Sequence, residues 1–458
     1  MAERIKNMTE GSPLKLIVTF ALPLMVGNVF QQLYTVVDMM VVGKTLGVDA
    51  LAALGATDWL YWMVLGMIQG ITQGFSILMA REFGAGRREQ LRLVTGISII
   101  LSAVCALVLL IVCQFAAQPV LELLHTPATI LNRALEYIRI MFFGIPIVMA
   151  YNLLSCILRS LGDGKTPLSA MILASIVNIA LDILFVPVLH WGIVGAAAAT
   201  LIAQFASCVF CILRLRKVDF MTLGRQHFRV RPALALRLMS LGCPMALQNL
   251  MIAVGGMIIQ NTVNGFGVAF IAGFTATNKL YGVLEIAASS YGYAMITYAG
   301  QNLGAMRFDR IRRGMRAAVL VAVATSAVIA AVMLLFGQSI VGLFISGTPR
   351  EIAEATKVGY DYLAVMSICL PILYILYVTR SAVQGMGNTV LPMVSGIAEF
   401  IMRTGGVLLL PALLHETGIY IAEVLAWFGA DLILVPSYFI TISRVAKQHG
   451  EGRISDGS

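Results

Sequence analysis

The chain has 458 residues, of which 59% are apolar and only 12% charged, against roughly a quarter charged in soluble domains. That depletion, with long apolar runs repeated from end to end, predicts an all-α polytopic membrane protein and excludes a soluble enzyme. It also excludes a membrane β-barrel, whose short strands would alternate in hydropathy. A formal net charge of +9 would suit nucleic acid, but the basic residues fall in alternate inter-helix loops, so no nucleic-acid partner is expected.

The polar stretch from Met1 to Ser12 lacks the apolar core of a cleavable signal, so no processing is expected. Twelve spans follow, with cores at 16–42, 59–80, 94–114, 137–158, 167–186, 193–213, 238–263, 269–298, 317–336, 360–383, 392–414 and 419–442, each of about 20 residues or more, enough to cross roughly 30 Å of hydrocarbon. Span one carries Pro23 and Asp38, and the loop after it, Gly43 to Asp58, holds one lysine. The loop after span two is basic, with Arg81, Arg87, Arg88 and Arg92. So are the loops after span four (Arg159, Lys165) and span eight (Arg307, Arg310, Arg312, Arg313, Arg316), whereas the alternate loops are poorer: beside the one lysine of Gly43 to Asp58, the loops Pro187 to Gly192, Asn264 to Val268 and His415 to Gly418 hold no lysine or arginine. Both termini are therefore expected on the cytoplasmic side.

Span five carries Asn178 and Asp182, four residues apart and so on one helix face. Span six holds Thr200, and also Cys208 and Cys211, a CxxC read as apolar packing because it lies inside a span. The basic stretch 214–237 then separates two halves of six spans each: an amino-terminal lobe, 1–213, and a carboxy-terminal lobe, 238–458. The halves repeat. Pro23 matches Pro244, Gly47 matches Gly267, Ala52 matches Ala272, the loop Phe83-Gly84-Ala85 recurs as Leu303-Gly304-Ala305, and the turn Gly162 to Pro167 recurs as Gly387 to Pro392. An even number of spans per half predicts two six-helix lobes related by a pseudo-two-fold axis along the membrane normal, around a central cavity.

Charged groups inside spans are costly, about 2.5–3.5 kcal/mol each at a helix centre by insertion scales. In the second half these are Lys279, Glu285, Arg380, Glu399, Arg403, Glu423 and Asp431. Arg380 is expected to snorkel from the cytoplasmic end of span ten, and Glu399 and Arg403, one turn apart, are expected to pair. For Glu423 and Asp431 the ends of span twelve and a cavity-facing position both remain open. In the first half the helical rise of 1.5 Å per residue puts Asp38 about 6 Å, Asp182 about 8 Å and Thr200 about 12 Å below the outer ends of their spans. With Asn178 one turn below Asp182, these four fall at similar depth. Their oxygens suit a hard cation such as Na⁺, and a desolvated carboxylate equally suits a proton. The second half does not repeat the set: Asn178 matches Arg403 and Ala174 matches Glu399. Gly162-Asp-Gly-Lys-Thr is read as a turn rather than a phosphate loop, because Arg159 stands where that loop has its first glycine and no strand precedes it. ATP-driven transport is not expected.

Taken together, the span-one run from Pro23 to Asp38-Met-Met-Val-Val-Gly43-Lys-Thr-Leu-Gly47, the segment Gly300-Gln301-Asn302-Leu303-Gly304-Ala305 and the turn Gly162 to Pro167 resemble the multidrug and toxic compound extrusion (MATE) family over about Ser12 to Lys447. Asn178, Asp182 and Thr200 are similar to its prokaryotic DNA-damage-inducible F-type branch, whose cation site lies in the amino-terminal lobe. Another branch has an acid in span seven and an Asp in span ten; here span seven has no acid, and the mid-span region of span ten around Pro371 has none. The resemblance implies a secondary antiporter, not an enzyme and without cofactor, in the inner membrane of a prokaryote. It would export amphipathic, often cationic, compounds in exchange for H⁺ or Na⁺ and act as a monomer. Coupling would rest on Asp38, Asn178, Asp182 and Thr200, with a bend at Pro23. Phe30, Tyr34, Met257, Tyr281 and Met295 are candidates for an adaptable substrate lining. The alternatives are a flippase for lipid-linked oligosaccharide of the same wider superfamily, a major facilitator transporter, whose glycine- and arginine-rich loop Phe83 to Arg88 imitates without its expected Asp, and an ion channel, which would not predict acids confined to one lobe.

Overall fold

The computed structural model describes residues 5–124, 126–345 and 348–455, and all the regular structure among them is helical. The helices are α1 (Pro13–Leu46), α2 (Val48–Gly84), α3 (Arg88–Leu123), α4 (Ala128–Phe143), α5 (Ile145–Ser160), α6 (Lys165–Ile183), α7 (Gly192–Leu215), α8 (Pro232–Val263), α9 (Val268–Gly304), α10 (Phe308–Gly342), α11 (Pro349–Ile368), α12 (Leu370–Gly385), α13 (Val390–Leu409), α14 (Pro411–Leu414) and α15 (Glu416–Ser455). Eight of them are long and apolar enough to cross a membrane singly. Two further spans are bent pairs, α4 with α5 at 47° and α11 with α12 at 51°. Each bend has a proline just past it, Pro146 and Pro371, whose missing N–H opens the hydrogen-bond ladder. The remaining two expected spans coincide with α9 and α13, of 37 and 20 residues, which carry the charged residues noted above.

The repeat is visible in how the helices end. After α2, Ala85 N–H donates to Arg81, Gly86 to Phe83 and Arg87 to Glu82; after α9, Ala305 donates to Gln301, Met306 to Leu303 and Arg307 to Asn302. Gly86 and Met306 take the left-handed conformation at equivalent places (φ 70° and 59°). The turns after α5 and α12 match too, with Gly162 and Gly387 at φ 83° and 87° and the side chains of Asp163 and Asn388 capping the amides of α6 and α13.

Three expectations about loops are corrected. Residues 43–58 are helical except around Gly47, the one residue of the stretch in the left-handed conformation, at φ 85°, while Gly43 and Gly55 stay within helices. Phe83 and Gly84, and likewise Gly300 to Gly304, are the last turns of helices rather than loops. Gln301 and Asn302 use that position to hold the N-terminal segment: Gln301 Oε1 accepts from Met8 N–H at 2.8 Å and Asn302 Nδ2 donates to Met8 O at 3.1 Å.

The chain forms two compact units. One comprises Leu22–Leu250 with the residues up to Asn7, and the other Met8–Ala21 with Met251–Ser458. In the first, α2 packs on α3, α4 and α5, and α6 on α7. Glycines let α2 approach α8 to backbone contact, since a Cβ at Gly74 would lie 2.4 Å from Gly242 Cα and one at Gly70 2.4 Å from Ala246 N. The stretch 214–237 docks on α3 through two short helical turns, with Arg92 Nε donating to Phe220 O at 2.8 Å and His227 facing Glu89 at 3.0 Å. In the second unit α9 packs on α10, α11 and α12, and α13 on α15. Phe270, Phe274, Tyr362 and Tyr420 stack in its core with ring centroids 4.8–6.1 Å apart. All seven cysteines are free thiols, Cys208 and Cys211 buried among them.

Candidate functional site

α1 and α6 are neighbours in the first unit: Ser175 Oγ approaches Phe30 O at 3.4 Å, and a Cβ at Gly27 would meet Met171 Sδ at 2.8 Å. Asp38 lies two turns beyond Phe30 and Asp182 two turns beyond Ser175, so the two helices carry both carboxyls to one level, within electrostatic reach of each other. Asp182 is fully buried and Asp38 is 8% exposed. Asn178, buried one turn before Asp182, donates from Nδ2 to Thr200 Oγ1 on α7 at 3.4 Å.

These groups lack hydrogen-bond partners where partners are most needed. Both carboxyl oxygens of Asp182, Oδ1 of Asp38 and Oδ1 of Asn178 are buried and accept nothing. Buried polar atoms in native folds are nearly always satisfied, so a cluster of orphaned oxygens fits a hard cation or protons as its missing partner. Among the described residues no group of three or more His, Cys, Asp or Glu could hold a metal ion, so an ion here would rest on two carboxylates aided by amide and hydroxyl oxygens. Just beyond Asp182 the helix widens into a π-helical turn, Leu184–Val188, with Leu189 N–H reaching back five residues to Leu184 O and Pro187 within it. Such turns accommodate backbone irregularity and recur at functional sites.

Of the other expected residues, Phe30 and Tyr34 lie on α1 in the first unit, and Tyr34 is within electrostatic reach of Asp38, Asp182 and Tyr61. Met257, Tyr281 and Met295 belong to the second unit. There Tyr281 stacks on Trp427 at 5.9 Å and Met295 is fully buried in packing. α1 runs helically through Pro23.

A family model described as MatE matches the chain twice, over residues 23–184 and 244–405. The two matches begin at Pro23 and Pro244, the prolines that align the repeat, and together cover well over half the chain. The chain belongs to the MatE family. Members of that family are membrane transporters rather than enzymes. Similar relatives include the probable multidrug resistance proteins YpnP of Bacillus subtilis (strain 168), 29% identical over 90% of this chain and 92% of its own, and YoeA of the same organism, 29% identical over 71% and 72%. A crystal structure of MATE in the bent conformation superposes with a TM-score of 0.88 over 96% of this chain and 98% of that one, at 23% identity, which shows the shared fold.

Sequence reasoning missed several neighbours of this MatE cluster. Asp58 and Tyr137 are within electrostatic reach of Asp38, Tyr61 is within reach of Tyr34 and Tyr137, and Gln204, one turn after Thr200, buries an unpartnered Oε1. The four-residue step from Thr200 to Gln204 was a usable signal, since it puts both on one helix face. Asp58 was hidden by the assumption of a long loop before α2, which takes in Gly43 to Asp58.

The second unit treats its buried charges differently. Glu399 Oε2 pairs with Arg380 at 2.6 Å, Glu399 Oε1 with Arg403 at 3.0 Å, and Arg403 with Glu423 at 3.1 Å. The expected Glu399–Arg403 pair is present. Arg380 does not snorkel: it is 6% exposed and is held by a carboxylate on the adjacent helix, which offers more than a distant interface. Glu285 on α9 accepts a hydrogen bond from Tyr377 on α12.

Proposed function

We propose that the chain is a secondary antiporter of the DNA-damage-inducible F-type branch, exporting amphipathic, often cationic, compounds against inward flow of H⁺ or Na⁺ across the cytoplasmic membrane of a prokaryote. The observation that carries this reading is the cluster of orphaned, buried oxygens on Asp182, Asp38 and Asn178. Two carboxyls at one level cannot both stay ionised and dry without a counter-charge. An incoming proton or Na⁺ supplies that charge and, in doing so, removes the attraction that holds a cationic substrate. Tyr34 and Phe30, on the same helix as Asp38, offer such a substrate an aromatic surface.

In this proposal residues 1–213 and 238–458 are the two lobes, 214–237 is the cytoplasmic linker, both termini are cytoplasmic and the unit of function is the monomer. Alternating access follows when ion binding near Asp38 changes the packing of α1, with Pro23 as the point that yields because its backbone bond is already missing. The multidrug resistance names of YpnP and YoeA agree with the substrate class. The test is export of a fluorescent organic cation from proteoliposomes under separately imposed pH and Na⁺ gradients. Export under at least one gradient is expected. Export under neither, with movement of a lipid-linked sugar instead, would replace the antiporter with a flippase.

A further inference from the structure

At the end of the first unit where α2 finishes and α8 begins, a cavity of about 320 Å³ is lined by Arg81, Arg87, Arg237, Glu82 and Gln90, comparable to small-ligand sites of about 300–1,000 Å³. Its charges do not balance. Three arginines face one acid: Arg87 Nε pairs with Glu82 at 2.8 Å, Glu82 is also within electrostatic reach of Arg81, and Arg81 and Arg237, within reach of each other, form no ion pair among the described residues. Bringing two like charges to one cavity costs free energy unless an anion joins them. α3 opens at the same cavity with no side chain capping its first amides, Gln90 belongs to that first turn, and its one acid, Glu89, faces Arg92 and His227. The remaining wall is apolar, from Leu78, Val94 and Leu234. Paired guanidinium groups match the geometry of a phosphate group, and basic pockets between membrane helices suit anionic headgroups.

We propose that this cavity binds an anion carrying a phosphate group, held by Arg81 and Arg237 with its non-polar portion against Leu78, Val94 and Leu234. The site is separate from Asp38 and Asp182 and stands whether or not the antiporter reading does. Two sources offer this chemistry, an anionic phospholipid and a free phosphate. The full-length protein, purified in detergent, is offered phosphatidylglycerol and phosphatidylcholine in equal amounts, and retained lipid is read by native mass spectrometry. Inorganic phosphate binding is measured in parallel by calorimetry.

Preferential retention of phosphatidylglycerol, reduced roughly ten-fold in Arg81→Gln/Arg237→Gln, as for loss of charge-assisted hydrogen bonds, supports the site with a lipid occupant. Saturable phosphate binding lost in the same variant, without lipid preference, supports it with a soluble one. Arg237→Gln alone, at an exposed position, gives a partial loss in a variant with no reason to misfold. Arg81→Lys/Arg237→Lys keeps more of the binding than the glutamine pair, and Arg350→Gln, in the exposed pair with Glu354, leaves it unchanged. Equal retention of the two lipids together with no phosphate binding overturns the proposal. So does a preference that Arg237→Gln and the double variant leave intact.

Discussion

Asp182→Asn separates a coupling role from a structural one, because the two roles predict opposite signs for stability. Asp182 is fully buried and neither carboxyl oxygen accepts a hydrogen bond. A carboxylate kept for structure would be satisfied, and its removal would cost about 1–3 kcal/mol per abandoned partner. Here no partner is abandoned. The amide is neutral, so the substitution instead relieves a charge whose ionised form costs at most about 2.5–3.5 kcal/mol, the value for the centre of a span. Asp182→Asn is therefore expected to unfold in detergent at the same temperature as the parent or a few degrees above it. Gradient-driven export should fall at least ten-fold, equivalent to about 1.4 kcal/mol, and substrate binding without a gradient should persist. Asp38→Asn should behave alike, and the double variant should lose little more than either single one, as expected for residues acting as a unit. The assay is export from proteoliposomes beside thermal unfolding of the same preparation. Export near the parent rate in both single variants would refute the coupling assignment. A large fall in unfolding temperature with residual export in proportion would return the cluster to a structural role.

Three further outcomes follow from the packing. Glu399→Gln removes the bridge between Arg380 and Arg403, and stranding Arg380 should cost about 3–5 kcal/mol, read as a lower unfolding temperature that Arg380→Met partly restores in the double variant. Gly74→Val places a side chain where even a Cβ would lie 2.4 Å from Gly242 Cα, so separation of α2 from α8 should cost about 1–3 kcal/mol or more, visible in unfolding and expression level. Gln301→Ala frees the amide of Met8, now bonded at 2.8 Å, and hydrogen–deuterium exchange there should speed up by about five-fold, as for loss of roughly 1 kcal/mol.

Much of this fold could be read from apolar run lengths, because hydrocarbon thickness sets helix length. The repeat could be read because the features that break helices, such as the glycines at 162 and 387, are few and must recur at equivalent places. The approach of Asn178 to Thr200 was legible for a related reason: polar groups in an apolar span are scarce, and helical rise fixes their depth. What stayed hidden depended on neighbours far along the chain. The partner of Arg380 is Glu399, one helix further on, and nothing in the local sequence around Arg380 separates a snorkelling arginine from a buried, paired one. Tyr137 is 99 residues from Asp38 along the chain, and only the packing of the helices brings it within reach. The orphaned state of the carboxyl oxygens was equally invisible, since the sequence shows which acceptors exist and not which donors reach them.

The two units share helix ends and bends but handle buried charge in opposite ways. A carboxylate already bridged by two arginines, as Glu399 is, gains little from a proton or a cation, because binding one would release the other partners. An unpartnered carboxyl gains the whole interaction. Coupling should therefore reside in the first unit and be tolerant of change in the second. Asp431 on α15 tests that inference, because its Oδ1 is buried without a hydrogen-bond partner although Arg380 and Glu399 are within electrostatic reach. If ion coupling belongs to the first unit, Asp431→Asn should retain at least half of the gradient-driven export while Asp38→Asn loses it. A loss as deep in Asp431→Asn as in Asp38→Asn, with unfolding temperature unchanged, would place a second titrating carboxyl in the cycle and make both halves of the repeat part of the switch.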